Sequence, residues 1–217
     1  MPTEPLFTSF NKDSFPEICK QLAAADPHLR KIISEHGLPP MWSRPATFSS
    51  LILTILEQQV SLASAYAAFK RLKAKIRYVT PERVLALSDE ELRACYFSRQ
   101  KIVYARGLAT AILSKQLLLK SFHGHPDEHI RVQLKQLKGI GDWTVDVYLM
   151  HALQRSDLFP LGDIALVNSL KEVMQLPKDI SKEEMLAIAE RWRPNRTVAA
   201  MILWHAYIKK RGIKILG

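Results

Sequence analysis

In LKGIGDWTV, residues 137–145, two glycines stand one residue apart. Glycine adopts positive φ at no steric cost. Gly139 and Gly141 can therefore fold the backbone sharply between two helices. They also leave the amides of residues 139–143 uncrowded by side chains. Those amides open the helix that follows, and a helix N-terminus carries partial positive charge and receives phosphate. Lys138 adds a full charge beside them. The same residues also suit a plain helix–helix turn with a glycine C-cap, and the turn alone does not choose between the two. Asp163 follows Gly162 and can cap a helix beginning at Ile164, where the helix dipole stabilises negative charge. Tryptophans on helices, here Trp143 and Trp204, most often pack in cores. His123, His125 and His129 lie close in sequence with no matching acidic or cysteine ligands, and read as a polar loop. Zinc-binding spacings, a P-loop and a GxSxG elbow are missing.

The elements that would position these residues are helical nearly throughout. Alternating β-branched runs and Asn-Gly or Asp-Gly hairpin dipeptides do not occur. Residues 1–14 read as a loose arm. Phe15 to Ala25 predicts a short helix, and Pro27 starts another ending near Gly37. LPPMWSRPA, 38–46, is a proline-rich connector and a candidate lobe boundary. Thr47 caps a helix with Phe48, Leu51, Ile52, Ile55 and Leu56 on its apolar face, and EQQVS, 57–61, interrupts it. Ser61 caps the next. Thr80-Pro81-Glu82 is a helix start, and Ser88 with Glu91 and Ser181 with Glu184 match the capping box. Pro126 starts a helix leading to Leu137, Asp163 or Gly162 one running to about Met174, and Asn195 one running to Lys210. That makes about ten helices, without repeats or low-complexity segments.

A length of 217 residues suits one large domain or two small lobes, and 47% hydrophobic residues is a globular composition. Thirty-one Lys and Arg against 21 Asp and Glu give a net charge of +10. A pI near 9.7 points to a polyanion, nucleic acid first and an anionic membrane surface second. Cys19 and Cys95 are too few for a four-cysteine cluster. A reducing compartment is expected, and no signal peptide or membrane-spanning run is visible.

LKQLKGIGDWTVDVYLMHAL, with FPLGD at 159–163, resembles the helix-hairpin-helix, Gly/Pro-rich-loop and Asp signature of the base-excision DNA glycosylases. Three further segments are similar to the 3-methyladenine DNA glycosylase II branch: FSSLILTILEQQVSLASA (48–65), FSRQK (97–101) and ERWRPNRTVAAMILW (190–204). The resemblance runs from Trp42 to Tyr207. It implies an all-α, two-lobed fold with a DNA-binding cleft between lobes. Residues 48–154 would form the central lobe, with the helix-hairpin-helix at about 130–153. Residues 1–47 and 155–217 would form a second, discontinuous lobe. The N-terminal β-domain of some bacterial members is not expected, because fewer than fifty residues precede the first matching helix.

The implied activity is hydrolysis of the N-glycosidic bond of alkylated purines in damaged double-stranded DNA, leaving an abasic site. Asp163 matches the catalytic carboxylate. Trp143 and Trp204 match pocket walls, with Gln58, Tyr148 and Trp42 as further pocket candidates and Gln59 as the wedge that fills the emptied stack. Lys138, Gly139, Gly141, Thr144, Ser98, Arg99 and Lys101 would hold phosphates. Related glycosylase-lyases carry a lysine where this chain has Trp143, so Schiff-base lyase chemistry is not implied. Val147 stands where the family has a pocket tyrosine. No iron–sulfur cluster is implied. A Na+ or K+ ion on the carbonyls of Leu137 and Ile140 is the only cofactor the resemblance suggests. A monomer is expected, cytoplasmic and nucleoid-associated in a bacterium or nuclear in a eukaryote, with no membrane partner. A non-catalytic DNA-binding module and a glycosylase for uracil or hypoxanthine remain the alternatives.

Overall fold

The computed structural model describes residues 7–213. In chain order its α-helices are α1 (Ser14–Ala25), α2 (Pro27–His36), α3 (Phe48–Glu57), α4 (Leu62–Ile76), α5 (Pro81–Ala86), α6 (Asp89–Ala94) and α7 (Arg99–Leu113). They continue with α8 (Asp127–Lys135), α9 (Asp142–Ala152), α10 (Ile164–Met174), α11 (Lys182–Ala189) and α12 (Arg196–Lys210). The described residues thus hold twelve α-helices, against the ten or so that the pattern suggests, and no strand. One antiparallel bridge, Ser9 to Arg155, is the extended pairing among them. None of these helices is long and apolar enough to cross a membrane.

The chain divides into two compact units, residues 44–153 and residues 7–43 with 154–213. The first division falls just after Trp42 in the proline-rich connector, ahead of the Thr47 cap.

In the discontinuous unit, α12 is the core. Every residue from Thr197 to Ala206 is buried, as befits a helix that is apolar all round. Helices α1, α2 and α10 pack against it. Asp26 joins the distant chain ends. Its Oδ1 accepts from the amides of His28 and Leu29, capping α2, while its Oδ2 accepts from Trp192 Nε1–H at 3.0 Å. The loose arm expected over residues 1–14 needs correcting for residues 7–13. Phe10 is buried against Phe15, and its amide donates to the Gln154 carbonyl. Thr8 and Ser156 share a hydroxyl–hydroxyl contact, and the Arg155 guanidinium lies 3.3 Å from the Phe7 ring centroid. Residues 1–6 lie outside the described residues.

In the continuous unit α3 is central and buried at nearly every position, packing on α4, α7 and α9. Each of its Leu and Ile side chains contributes about 1.5–3 kcal/mol by leaving water. Its buried polar groups are all satisfied. Ser50 Oγ donates to the Pro45 carbonyl, Thr54 Oγ1 to the Ser50 carbonyl, and Glu57 accepts a two-pronged bond from Arg44. The caps read from the sequence, Thr47, Ser61 and Thr80, each accept from an amide of their own first turn, and Ser98, expected at a phosphate, caps α7 in the same way. So do Ser88 and Ser181, each completing a capping box. Both cysteines are free and buried, and burial pushes the Cys19 thiol up to about 12.

Candidate functional site

Asp163 is the N-cap of α10. Its Oδ1 accepts from the Leu166 amide at 2.9 Å and from Trp204 Nε1–H at 3.0 Å. One oxygen of a partly exposed carboxylate is therefore fixed by a helix terminus and by an indole from α12. Trp204 is 8% exposed, and its polar edge faces the aspartate. It acts as a donor to the carboxylate as well as an aromatic surface. Next to it on α12, buried His205 donates from Nε2 to the His36 carbonyl at 3.1 Å, since a carbonyl only accepts. Trp42 is half-buried, with its ring centroid 6.4 Å from that of His205. Asp163, Trp204 and Trp42 all belong to the discontinuous unit.

The continuous unit carries the hairpin. Gly139 has φ +85°, and a Cβ there would fall 2.3 Å from the Tyr104 ring. Glycine is needed twice over, for the left-handed backbone and for the ring of α7 packed on it. Gly141 differs from expectation. Its φ is −104°, extended backbone that any residue adopts, and a Cβ would meet open space. It forms the N-cap of α9 with no side chain to bond the amides of the first turn, which is the opening an anion needs. Asp142 and Asp146, awkward neighbours for phosphate, are held toward α8. Arg131 binds both, and Lys135 binds Asp142 at 2.8 Å. Lys138 is exposed beside the turn, and Trp143 is half-buried at the second residue of α9.

Gln58 closes α3, and its side chain bridges to the hairpin. Nε2 donates to the Gly139 carbonyl at 2.8 Å and to Thr144 Oγ1 at 2.9 Å. That correction moves Gln58 from the base pocket to a brace for the turn. Thr144 changes with it. Its side chain is buried and accepts from Gln58, so the hydroxyl does not reach out to a phosphate. Gln59 is exposed at φ +57°, an uncommon backbone for a residue with a side chain. It stands at the tip of the loop between α3 and α4.

Tyr148 is also corrected. It is 1% exposed, with its ring edge-on to Phe122 and its hydroxyl without a partner, and so belongs to the core. Lys101 is half-buried, with its ammonium on the Leu56 carbonyl at 2.7 Å, closing the C-terminus of α3. Burial lowers its pKa from the usual lysine value. It holds the loop that carries Gln59 instead of gripping phosphate. Ser98 and Arg99 remain exposed at the start of α7. The Leu137 carbonyl accepts from the Ile140 amide at 3.1 Å, which leaves one of its two lone pairs for a cation. Among the described residues no group of three or more His, Cys, Asp or Glu could hold a metal. Sequence reasoning missed Tyr104 and the Arg44–Glu57 pair. Glu57 at the end of an apolar helix, three residues after Thr54, was the available signal for the pair, whereas Tyr104 gave none.

The match to known proteins is decisive at the family level. The HhH-GPD superfamily base excision DNA repair protein model matches residues 52–194. The chain belongs to the HhH-GPD superfamily. It is 33% identical to YfjP of Bacillus subtilis (strain 168) over 82% of its own length, spanning 65% of that relative. It is 30% identical to DNA-3-methyladenine glycosylase 1 of Schizosaccharomyces pombe, covering 87% of this chain and 89% of the relative. The solved S. pombe 3-methyladenine DNA glycosylase in complex with abasic DNA superposes with a TM-score of 0.80 at 29% identity, over 87% of this chain and 95% of the other. As an HhH-GPD protein the chain is all-helical among its described residues. The superfamily match covers the hairpin and Asp163 alike.

Proposed function

We propose that the chain is a monofunctional DNA glycosylase that hydrolyses the N-glycosidic bond of alkylated purines in duplex DNA. The observation that carries this reading is the carboxylate of Asp163, pinned through one oxygen by the Leu166 amide and the Trp204 indole. The names of the S. pombe relative and solved neighbour support the substrate class.

An alkylated purine such as 3-methyladenine in DNA bears positive charge. The glycosidic electron pair leaves with the base and neutralises it, so no strong acid is required. Positive charge then builds on the sugar, and a fixed carboxylate stabilises it without reorganising. Water adds to the sugar carbon and loses its proton, and Asp163 is the group that would orient that water. Trp143 and Trp204 would each offer an aromatic face to a cationic base, where stacking and cation–π attraction reach up to ~2 kcal/mol when desolvated. Gln59 would fill the gap in the stack, at a cost of a few kcal/mol for flipping. The α9 amides behind Gly141, with Lys138, Ser98 and Arg99, would take phosphates. A Na+ or K+ ion on the Leu137 and Ile140 carbonyls would stiffen the turn. At the position of the lyase amine stands Trp143, which supports hydrolysis without strand cleavage.

The test is base release from methylated duplex DNA, read by chromatography, for the wild type and Asp163→Asn. Asparagine keeps the helix cap, so the variant should fold and bind DNA while releasing almost no base. Binding without release by the wild type would overturn the alkylpurine reading, and duplexes carrying uracil or hypoxanthine would then separate another glycosylase from a DNA-binding module. Borohydride trapping of an enzyme–DNA adduct would contradict the hydrolytic reading.

A further inference from the structure

Helix α4 begins three residues after Gln59 and presents its buried residues Ala65, Ala68, Leu72 and Ile76 to the core. The opposite face carries Lys70, Lys73 and, at the C-cap, Arg77, all exposed. At 3.6 residues per turn these positions, spaced by three and then four, form one row about 10 Å long. Ala63, Ala67 and Ala74 share that face and keep it low. The face carries no acidic residue.

Among the described residues the cations in the row have no acidic partner. Lys73 lies 5.9 Å from the Phe69 ring centroid and Arg77 5.4 Å from that of Tyr78, and among the described residues none of the three pairs with a carboxylate. Neighbouring charges behave differently: Lys75 binds Glu91, and Arg106 binds Asp89. Where the row ends, Tyr78 is 58% exposed, with a second guanidinium, that of Arg83, also 5.4 Å from its ring centroid. Three uncompensated cations in a straight row suit a partner of regularly spaced negative charge. Duplex DNA offers, on each strand, one phosphate per about 3.4 Å of helix axis. An acidic protein would be met as well by a scattered patch.

We propose that this face of α4 is a further contact for the sugar–phosphate backbone of duplex DNA, beyond the nucleotides that Gln59 and the hairpin engage. The inference rests on the reading of Gln59 as a DNA-contacting residue for its direction, but not on the reaction at Asp163.

The experiment compares wild type with Lys70→Ala/Lys73→Ala/Arg77→Ala, all exposed positions whose loss should leave the fold intact by circular dichroism. Binding to a long undamaged duplex is measured across a salt series. Losing these contacts should flatten the slope of log affinity against log salt by about 0.9 for each phosphate released. Single-turnover base release at saturating enzyme should stay unchanged. Lys70→Arg/Lys73→Arg should retain the wild-type slope. An unaltered slope in the triple variant would overturn the proposal and assign the row to an acidic protein or to solvent. A wild type that releases no base, together with a flattened slope in the variant, would sink the glycosylase reading and leave this contact standing.

Discussion

The indole N–H of Trp204 and the amide that caps α10 converge on one atom, Asp163 Oδ1, at 3.0 and 2.9 Å. The buried edge of a tryptophan thus fixes the carboxylate whose orientation the reaction would depend on. Trp204→Phe keeps an aromatic face and removes the donor. A hydrogen bond to a charged group is worth about 1.5–3 kcal/mol, so the rate of base release should fall roughly tenfold to a hundredfold. Substrate affinity should change little, because the ring remains. Single-turnover rates beside binding isotherms read the split. A loss confined to affinity would mean that the indole N–H has no part in positioning the aspartate.

The two hairpin glycines should not respond alike. Gly139→Ala must place a Cβ into the Tyr104 ring from a backbone at φ +85°, and should lose more than about 1 kcal/mol of stability. Gly141→Ala meets open space at φ −104° and should fold normally, with its cost appearing in DNA affinity. Chemical denaturation and a binding titration on both variants check the contrast. Equal destabilisation would refute the assignment.

Gln58 donates to the Gly139 carbonyl, which cannot donate back, and to Thr144 Oγ1. Gln58→Ala strips both of their donor, at about 1–3 kcal/mol. Gln58→Glu sets a carboxylate opposite them and should be the less stable of the two. Thermal unfolding orders the variants, and a glutamate variant as stable as wild type would show that the bridge does not form.

What could be read from the chain was whatever depends on near neighbours. Ser61, Ser88, Ser181 and Asp163 cap helices through amides two or three residues away, and their side chains announce it. The hairpin and Asp163 were legible because the motif is contiguous. Lys101 on the Leu56 carbonyl, Gln58 on Gly139 and Thr144, and Tyr104 over Gly139 were not. Each joins residues more than thirty positions apart, and no periodicity records which exposed-type side chain folds back onto a distant carbonyl. Gly141 was misjudged for a related reason. A glycine that supplies open space and one that supplies positive φ are the same letter.

His205 gives the fold a dependence on pH. Burial lowers its pKa from the usual 6.5, assisted by nearby Lys209 and His36, and opposed by its bond to the His36 carbonyl. Because Nε2 carries the proton donated to that carbonyl, acid must charge the ring at Nδ1. The unfolded chain accepts this proton near 6.5, whereas the folded protein resists it. Stability from the neutral ring is therefore complete above 6.5 and is lost as pH falls below it. His205→Gln retains an amide donor for the His36 carbonyl and does not titrate. Denaturant midpoints measured on both sides of 6.5 should fall more steeply with acid for the wild type than for the variant. Parallel profiles would show that His205 is solvated or already charged in the folded protein.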